Sequence, residues 1–237
     1  MPSATSPQSA EILVTKIAAA RRLLRAAVRM HFSREDELAV HAVASAAYSV
    51  LRELKDKRGQ NEAEYVMQTE TLGYLALAKR RTESSLPPEI LADEYTVGFL
   101  DELIENLNIT PQTDISEISL SVTLDSSSTA SFWRTHNRTF NFLKHADRDS
   151  DALLSLADVD NLGLLMRGML SYDSIAPDDL GFEGLVLKVY FRATRTGKSE
   201  PDDPLAALVS KLRTMTDDEK FEYSAYQLNR PRPAGLG

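Results

Sequence analysis

The sequence predicts an all-α fold: one helical domain over residues 10–228, a bundle of about seven to nine helices, with flexible tails at 1–9 and 229–237. Three observations carry that expectation. Apolar residues recur at helical spacing along most of the chain. Serine, threonine, aspartate and proline stand where helices would begin, and Gly59 stands where one would end. Strict alternation, the sign of a half-buried strand, occurs in one place only, at Ile118, Leu120, Val122 and Leu124. One short extended segment near 117–124 is therefore allowed for.

Taken in order, the first helix runs from Ala10 to His31, with Leu13, Ile17, Ala20, Leu24 and Ala27 on one face. "SREDE" offers Ser33 as the N-cap of a second helix, followed by acids that suit the positive end of its dipole. That helix reaches about Lys57, with an inward stripe of Val40, Val43, Ala47, Val50 and Leu54, and Gly59 supplies the left-handed residue that stops it. A third helix is expected from Asn61 to Arg81, and a fourth from Pro88–Glu89 to Leu107 after the break "SSLPPE". A further helix, capped by one of Ser126 to Thr129, runs through "FWRTHNRTFNFLKH". The last four are expected at 158–173, 181–195, 203–214 and 216–227. Of these, the final helix opens on Thr216 followed by Asp217, Asp218 and Glu219, the pattern of a capping box.

Composition narrows the chemistry. The 237 residues contain no cysteine, which removes disulfides, thiolate nucleophiles and cysteine-held metals. A net charge of −8 argues against a general polyanion binder. The charge is uneven, for residues 1–60 hold ten Lys/Arg and six Asp/Glu, a local net of +4. Arg21, Arg25 and Arg29 would form a ridge there, either paired with acidic neighbours or open to phosphate. No apolar run approaches the 20 or so residues of a membrane span, and the first twenty lack a basic-then-apolar leader pattern. A cytoplasmic protein with no membrane contact is the expectation.

The stretch richest in chemistry is "RTHNRTFNFLKHADRDSD", residues 134–151. On one continuous helix over 132–148, Arg134, Arg138, Asn141, His145 and Arg148 fall within roughly 80° of each other. Phe132, Trp133, His136, Phe140 and Leu143 lie opposite and read as the core face. Solvated faces are usually written in Glu and Lys, and Asn and His are poorer helix formers. An arginine beside a histidine can hold a phosphate and move its proton, since imidazole titrates near neutrality and guanidinium stabilises charge on oxygen. On the second helix His41, Ser45, Tyr48 and Arg52 form another polar stripe, and Ala42, Ala44, Ala46 and Ala47 would let a neighbouring helix approach closely. If both stripes share one cleft they make an anion pocket.

Arg138 to His145, "RTFNFLKH", resembles the R-x(4–6)-H motif of HEPN domains, which are all-α. That resemblance implies a homodimer or pseudo-dimer whose two motifs meet at the interface, acting in many members as a metal-independent ribonuclease and in others as an inactive binding module. It would make His145 the acid/base, Arg138 the phosphate clamp and Asn141 a residue that orients substrate. The family usually carries a small polar residue directly after the arginine, where Thr139 stands here, and Asn141 follows two positions later. "NFLKHADRDSDA", preceded by "RRLL" and "VHAVASAAYSVL", also resembles an uncharacterised bacterial family, which implies no activity.

Asp147 to Asp158, "DRDSDALLSLAD", overlays a calcium loop with acids at positions 1, 3, 5 and 12. It departs at position 6, Ala152 in place of glycine, and at position 12, Asp158 in place of glutamate. A solvated turn capped by Asp149 or Ser150 accounts for the same residues, and no metal and no cofactor are expected. The reading of the whole is a non-catalytic interaction or small-ligand-binding module, with Arg134, His41, Tyr48 and Arg52 as ligand contacts. The alternative is a HEPN-like ribonuclease or nucleotide-binding domain using Arg138 and His145. A homodimer is expected, with RNA or a nucleotide as the partner in the alternative.

Overall fold

In the computed structural model of the chain, the described residues are 13–66, 68, 101, 104–110, 126–145, 147, 150–176, 178–194 and 204–230. Among them the fold is all-helical and no strand occurs. The helices are α1 (Lys16–Phe32), α2 (Glu37–Asp56), α3 (Ser126–His136), α4 (Arg138–Lys144), α5 (Asn161–Ile175), α6 (Phe182–Thr194), α7 (Ala206–Arg213) and α8 (Asp217–Asn229), with a 3-10 turn at Leu156–Asp158. Residues 62–66 are also helical, as are 104–106, after which Asn108 takes a left-handed φ of 51°. The extended segment expected at 117–124, most of the helices expected over 61–81 and 88–107, and Arg148 and Asp149 lie outside the described residues. No helix among the described residues is long and apolar enough to cross a membrane.

Helix starts follow local chemistry, and one differs from expectation. Ser33 does not cap the second helix; it closes α1, its N–H bonding to the Arg29 carbonyl at 2.9 Å. Arg34 then turns left-handed at φ 54°, which halts the chain before Asp36. The Asp36 carboxylate accepts the N–H groups of Leu38 and Ala39 at 3.0 and 3.1 Å, and a charged cap at a helix's positive end outcompetes a hydroxyl three residues upstream. Thr216 and Glu219 form the expected reciprocal box, and Glu219 is held below the usual carboxylate range by its bond from the Thr216 N–H. Gly59 ends the α2 region at φ 73°, as its position suggests.

α1 is the hub, packing on α2, α5, α6 and α8. Its Leu24, Val28 and Phe32 meet Leu51, Leu165, Met169, Tyr172 and Leu187 in the main core. α5 lies close to α1 because Gly168 faces Leu24; a Cβ there would sit 2.7 Å from the leucine methyl, closer than carbon atoms tolerate. Leu13, expected on the inner face of the first helix, precedes α1 and is 84% exposed. α2 is buried more broadly than its aliphatic stripe suggests. Val40, Ala44, Ala47 and Leu51 are fully inside, while Val43, Val50 and Leu54 only skirt the core. The reason is that α2 has neighbours on several sides, α1, α5 and α4. Its extra buried face carries His41, Ser45, Tyr48 and Lys55.

Much of that polar face is paired internally, although the buried Tyr48 hydroxyl makes no hydrogen bond among the described residues. His41 Nδ1 lies 3.1 Å from Asn161 Oδ1, and Asn161 Nδ2 donates to the Glu37 carbonyl at 3.0 Å. Lys55 and Glu62, both buried, form an ion pair at 2.5 Å, with Ser171 donating to the same carboxylate and the Tyr65 ring 3.5 Å from the ammonium. The arginine ridge of α1 is also neutralised within the chain. Arg25 and Arg29 both hold the fully buried carboxylate of Glu183, at 2.9 and 2.6 Å, and Arg21 pairs with Asp178 at 2.8 Å.

Candidate functional site

The segment expected as one helix over 132–148 is two helices. Asn137, at φ −100° and ψ 9°, separates α3 from α4. It keeps hydrogen bonds on both sides, its N–H to the Trp133 carbonyl at 3.0 Å and its carbonyl to the Asn141 N–H at 2.7 Å. Asparagine is a weak helix former whose backbone readily adopts this intermediate conformation, so the kink falls there. α4 then ends at Lys144, and His145 is its C-cap, with its N–H bonded to the Asn141 carbonyl at 3.0 Å.

The kink precedes the Arg138–His145 stretch and does not divide it. Arg138, Asn141 and His145 therefore project together, and Arg134 joins them from the last turn of α3. All four line one cavity of about 420 Å³, closed on the other side by Phe142, Ala152, Leu153 and Leu154. Among the described residues no carboxylate lines it. Arg134 is exposed and has no ion-pair partner among the described residues. Arg138 reaches the Asp158 carboxylate at 3.3 Å, a pair in which both side chains are about half-exposed or more, so its strength is on the order of 1 kcal/mol or less. His145 Nδ1 stands 4.0 Å from Asp147, too far for a hydrogen bond.

The opposite face partly follows the expected core. Trp133 packs against the main core and beside Ala63 and Val66, but Leu143 is 36% exposed and Thr139 is buried in its place. α4 packs on α2.

The second stripe does not open on the cavity. His41 and Tyr48 are 5% exposed, locked between α2 and its neighbours. Burial lowers the His41 pKa, only partly offset by the bond to Asn161. Burial and then the nearby Glu62 charge push the Tyr48 phenol well up. Arg52 lies over the Trp133 ring at 4.7 Å, and the Tyr48 ring is 6.3 Å from the same indole. Trp133 thus stands between the two stripes, and the single shared cleft does not form.

Of the twelve-residue acidic loop, Arg148 and Asp149 lie outside the described residues. Asp158 is taken by Arg138, and no group of three or more metal-ligating side chains converges among the described residues. Ser155, not an aspartate, caps the 3-10 turn at its end. The aliphatic wall from Ala152 to Leu154 was the part of the site least visible beforehand; its only signal was an apolar "ALL" directly after a polar turn.

A larger cavity, about 510 Å³, lies where α2, α5 and α8 begin, and it is lined by Glu35, Glu37, Asp160, Asp217 and Asp218 together with His31, Arg34, Tyr190 and Phe221. Four of those acids sit at helix starts, where the cap and the dipole account for them. Asp160, for example, accepts the Gly163 N–H at 2.8 Å. Comparison with protein-family models, with curated proteins and with solved structures gives no match, and the site is interpreted on its own geometry.

Proposed function

We propose that this chain is a non-catalytic binding module whose Arg134–Arg138–Asn141–His145 cavity holds a small anion. The observation that carries the proposal is the convergence of two guanidiniums, a carboxamide and an imidazole on one cavity, with no carboxylate among its described lining residues. Guanidinium forks match carboxylate and phosphate oxygens, and Asn141 and His145 can each donate a further hydrogen bond. The non-catalytic reading is supported by the acidity of the chain, net −8, which disfavours a polyanionic RNA substrate.

Titration calorimetry with orthophosphate tests this reading. Binding in the wild type should weaken at least tenfold in Arg134→Ala/Arg138→Ala, while the melting temperature changes little because both side chains are largely in water. Unchanged binding in the double variant would reject the site. The ribonuclease reading of the same residues is separated by incubating the wild type and His145→Ala with total RNA in chelator. Metal-independent cleavage that disappears in His145→Ala would replace the binding module with an enzyme.

A further inference from the structure

We infer that the anion this cavity takes is the head of an amphiphile, a phosphate monoester on a single alkyl chain; the inference rests on the anion-binding reading above. The cavity has two unlike walls. α3 and α4 supply the polar one, Arg134, Arg138, Asn141 and His145, while Phe142 and the segment Ala152–Leu154 supply the apolar one. Within that apolar wall Leu153 is 93% exposed, a large aliphatic side chain left in water.

An inorganic ion would fill the polar wall and leave this aliphatic surface wet. A nucleotide base would need flat aromatic faces and hydrogen-bonding edges on that side, and among the described residues the wall offers one phenylalanine and no polar side chain. An alkyl chain matches it. On the polar side, two guanidiniums with an amide and an imidazole provide more donors than the two oxygens of a carboxylate can accept, and they suit the three free oxygens of a phosphate monoester. The volume, about 420 Å³, lies within the range of small-molecule sites.

The test compares orthophosphate, butyl phosphate and octyl phosphate, the last below its micelle concentration, on the full chain by calorimetry. Each methylene that leaves water should tighten binding about threefold to fourfold. Allowing for the open rim, octyl phosphate should bind at least tenfold tighter than orthophosphate. Leu153→Ser, at an exposed position where folding is not at risk, should lower the ratio of octyl phosphate to orthophosphate affinity at least threefold. Leu154→Asn serves as the second variant. Octyl phosphate that binds no tighter than orthophosphate would overturn the inference and leave the anion site standing. A chain-length gain unaffected by either leucine substitution, or one that survives Arg134→Ala/Arg138→Ala, would overturn it equally. Failure of orthophosphate and octyl phosphate alike would remove the anion reading itself. Co-sedimentation with phosphatidylcholine vesicles containing lysophosphatidic acid, the single-chain phosphate monoester, distinguishes the two sources of such a headgroup. Capture by the vesicles identifies a membrane lipid as the source, and binding confined to dispersed octyl phosphate identifies a free amphiphile.

Discussion

Two sets of arginines in this chain have opposite fates. Arg21, Arg25 and Arg29 on α1 each meet a carboxylate from the α5–α6 side of the bundle, and one of those carboxylates, Glu183, is wholly buried between two guanidiniums. At the α3–α4 junction Arg138 meets one half-exposed acid, Arg134 meets none among the described residues, and both face an open cavity. Helical spacing alone would favour the α1 ridge as a phosphate site, since its three arginines are in perfect register. The deciding quantity is the supply of carboxylates in three dimensions. The α1 arginines are part of the structure, and the α3–α4 arginines remain available to something else.

The contrast can be broken in a definite order. The largest effect is expected at Glu183. Glu183→Gln keeps the shape but leaves Arg25 and Arg29 facing a neutral amide in a partly buried setting, and should cost about 3 kcal/mol of stability by urea unfolding. A loss below about 1 kcal/mol would mean that the two pairs are merely surface contacts and that the comparison has been overdrawn. Next comes the response to acid. Burial lowers the pKa of His31 and His41, so the folded chain keeps both neutral where unfolded imidazoles, titrating near 6.5, take up protons. Stability is therefore full above about pH 6.5 and declines as the pH falls from there toward the lowered folded values. For His41 the Asn161 bond and the Asp160 charge oppose the shift, and Arg167 reinforces it. Unfolding midpoints measured at pH 7.5, 6 and 5 should decline in the wild type and decline less in His41→Gln; parallel slopes would exclude His41 as a contributor. The smallest effect is at Asp158. Asp158→Asn should leave stability within about 0.5 kcal/mol while strengthening orthophosphate binding by at most about fivefold, because Arg138 loses its internal competitor. Weaker binding in that variant would show that Asp158 orients Arg138 and does not compete for it.

The helical class, the left-handed stop at Gly59 and the Thr216 capping box were legible in the sequence because each depends on residues within four positions of one another. The convergence of Arg134, Arg138, Asn141 and His145 was legible for the same reason. What escaped depends on distant partners. Nothing in "VHAVASAAYSVL" reveals that Asn161, 120 positions away, meets His41, or that neighbours on several sides turn His41, Ser45 and Tyr48 inward. Glu183 looked like an ordinary first-turn acid of its helix until two arginines more than 150 residues away were placed against it. The kink at Asn137 and the displacement of the second cap from Ser33 to Asp36 were local, but each turned on a competition between near-equal neighbours that pattern alone does not resolve.

A cation-lined cavity set in a molecule of net charge −8 has a kinetic consequence. An approaching anion feels repulsion from the whole body at long range and attraction from the cavity only near contact, and dissolved salt shortens the reach of both. Because the repulsion acts over the longer distance, moderate ionic strength should speed the ligand's arrival, opposite to the slowing usual for electrostatically guided encounters. The cavity thus discriminates by what happens at its mouth, and weakly charged ligands with a greasy body reach it more readily than compact polyanions.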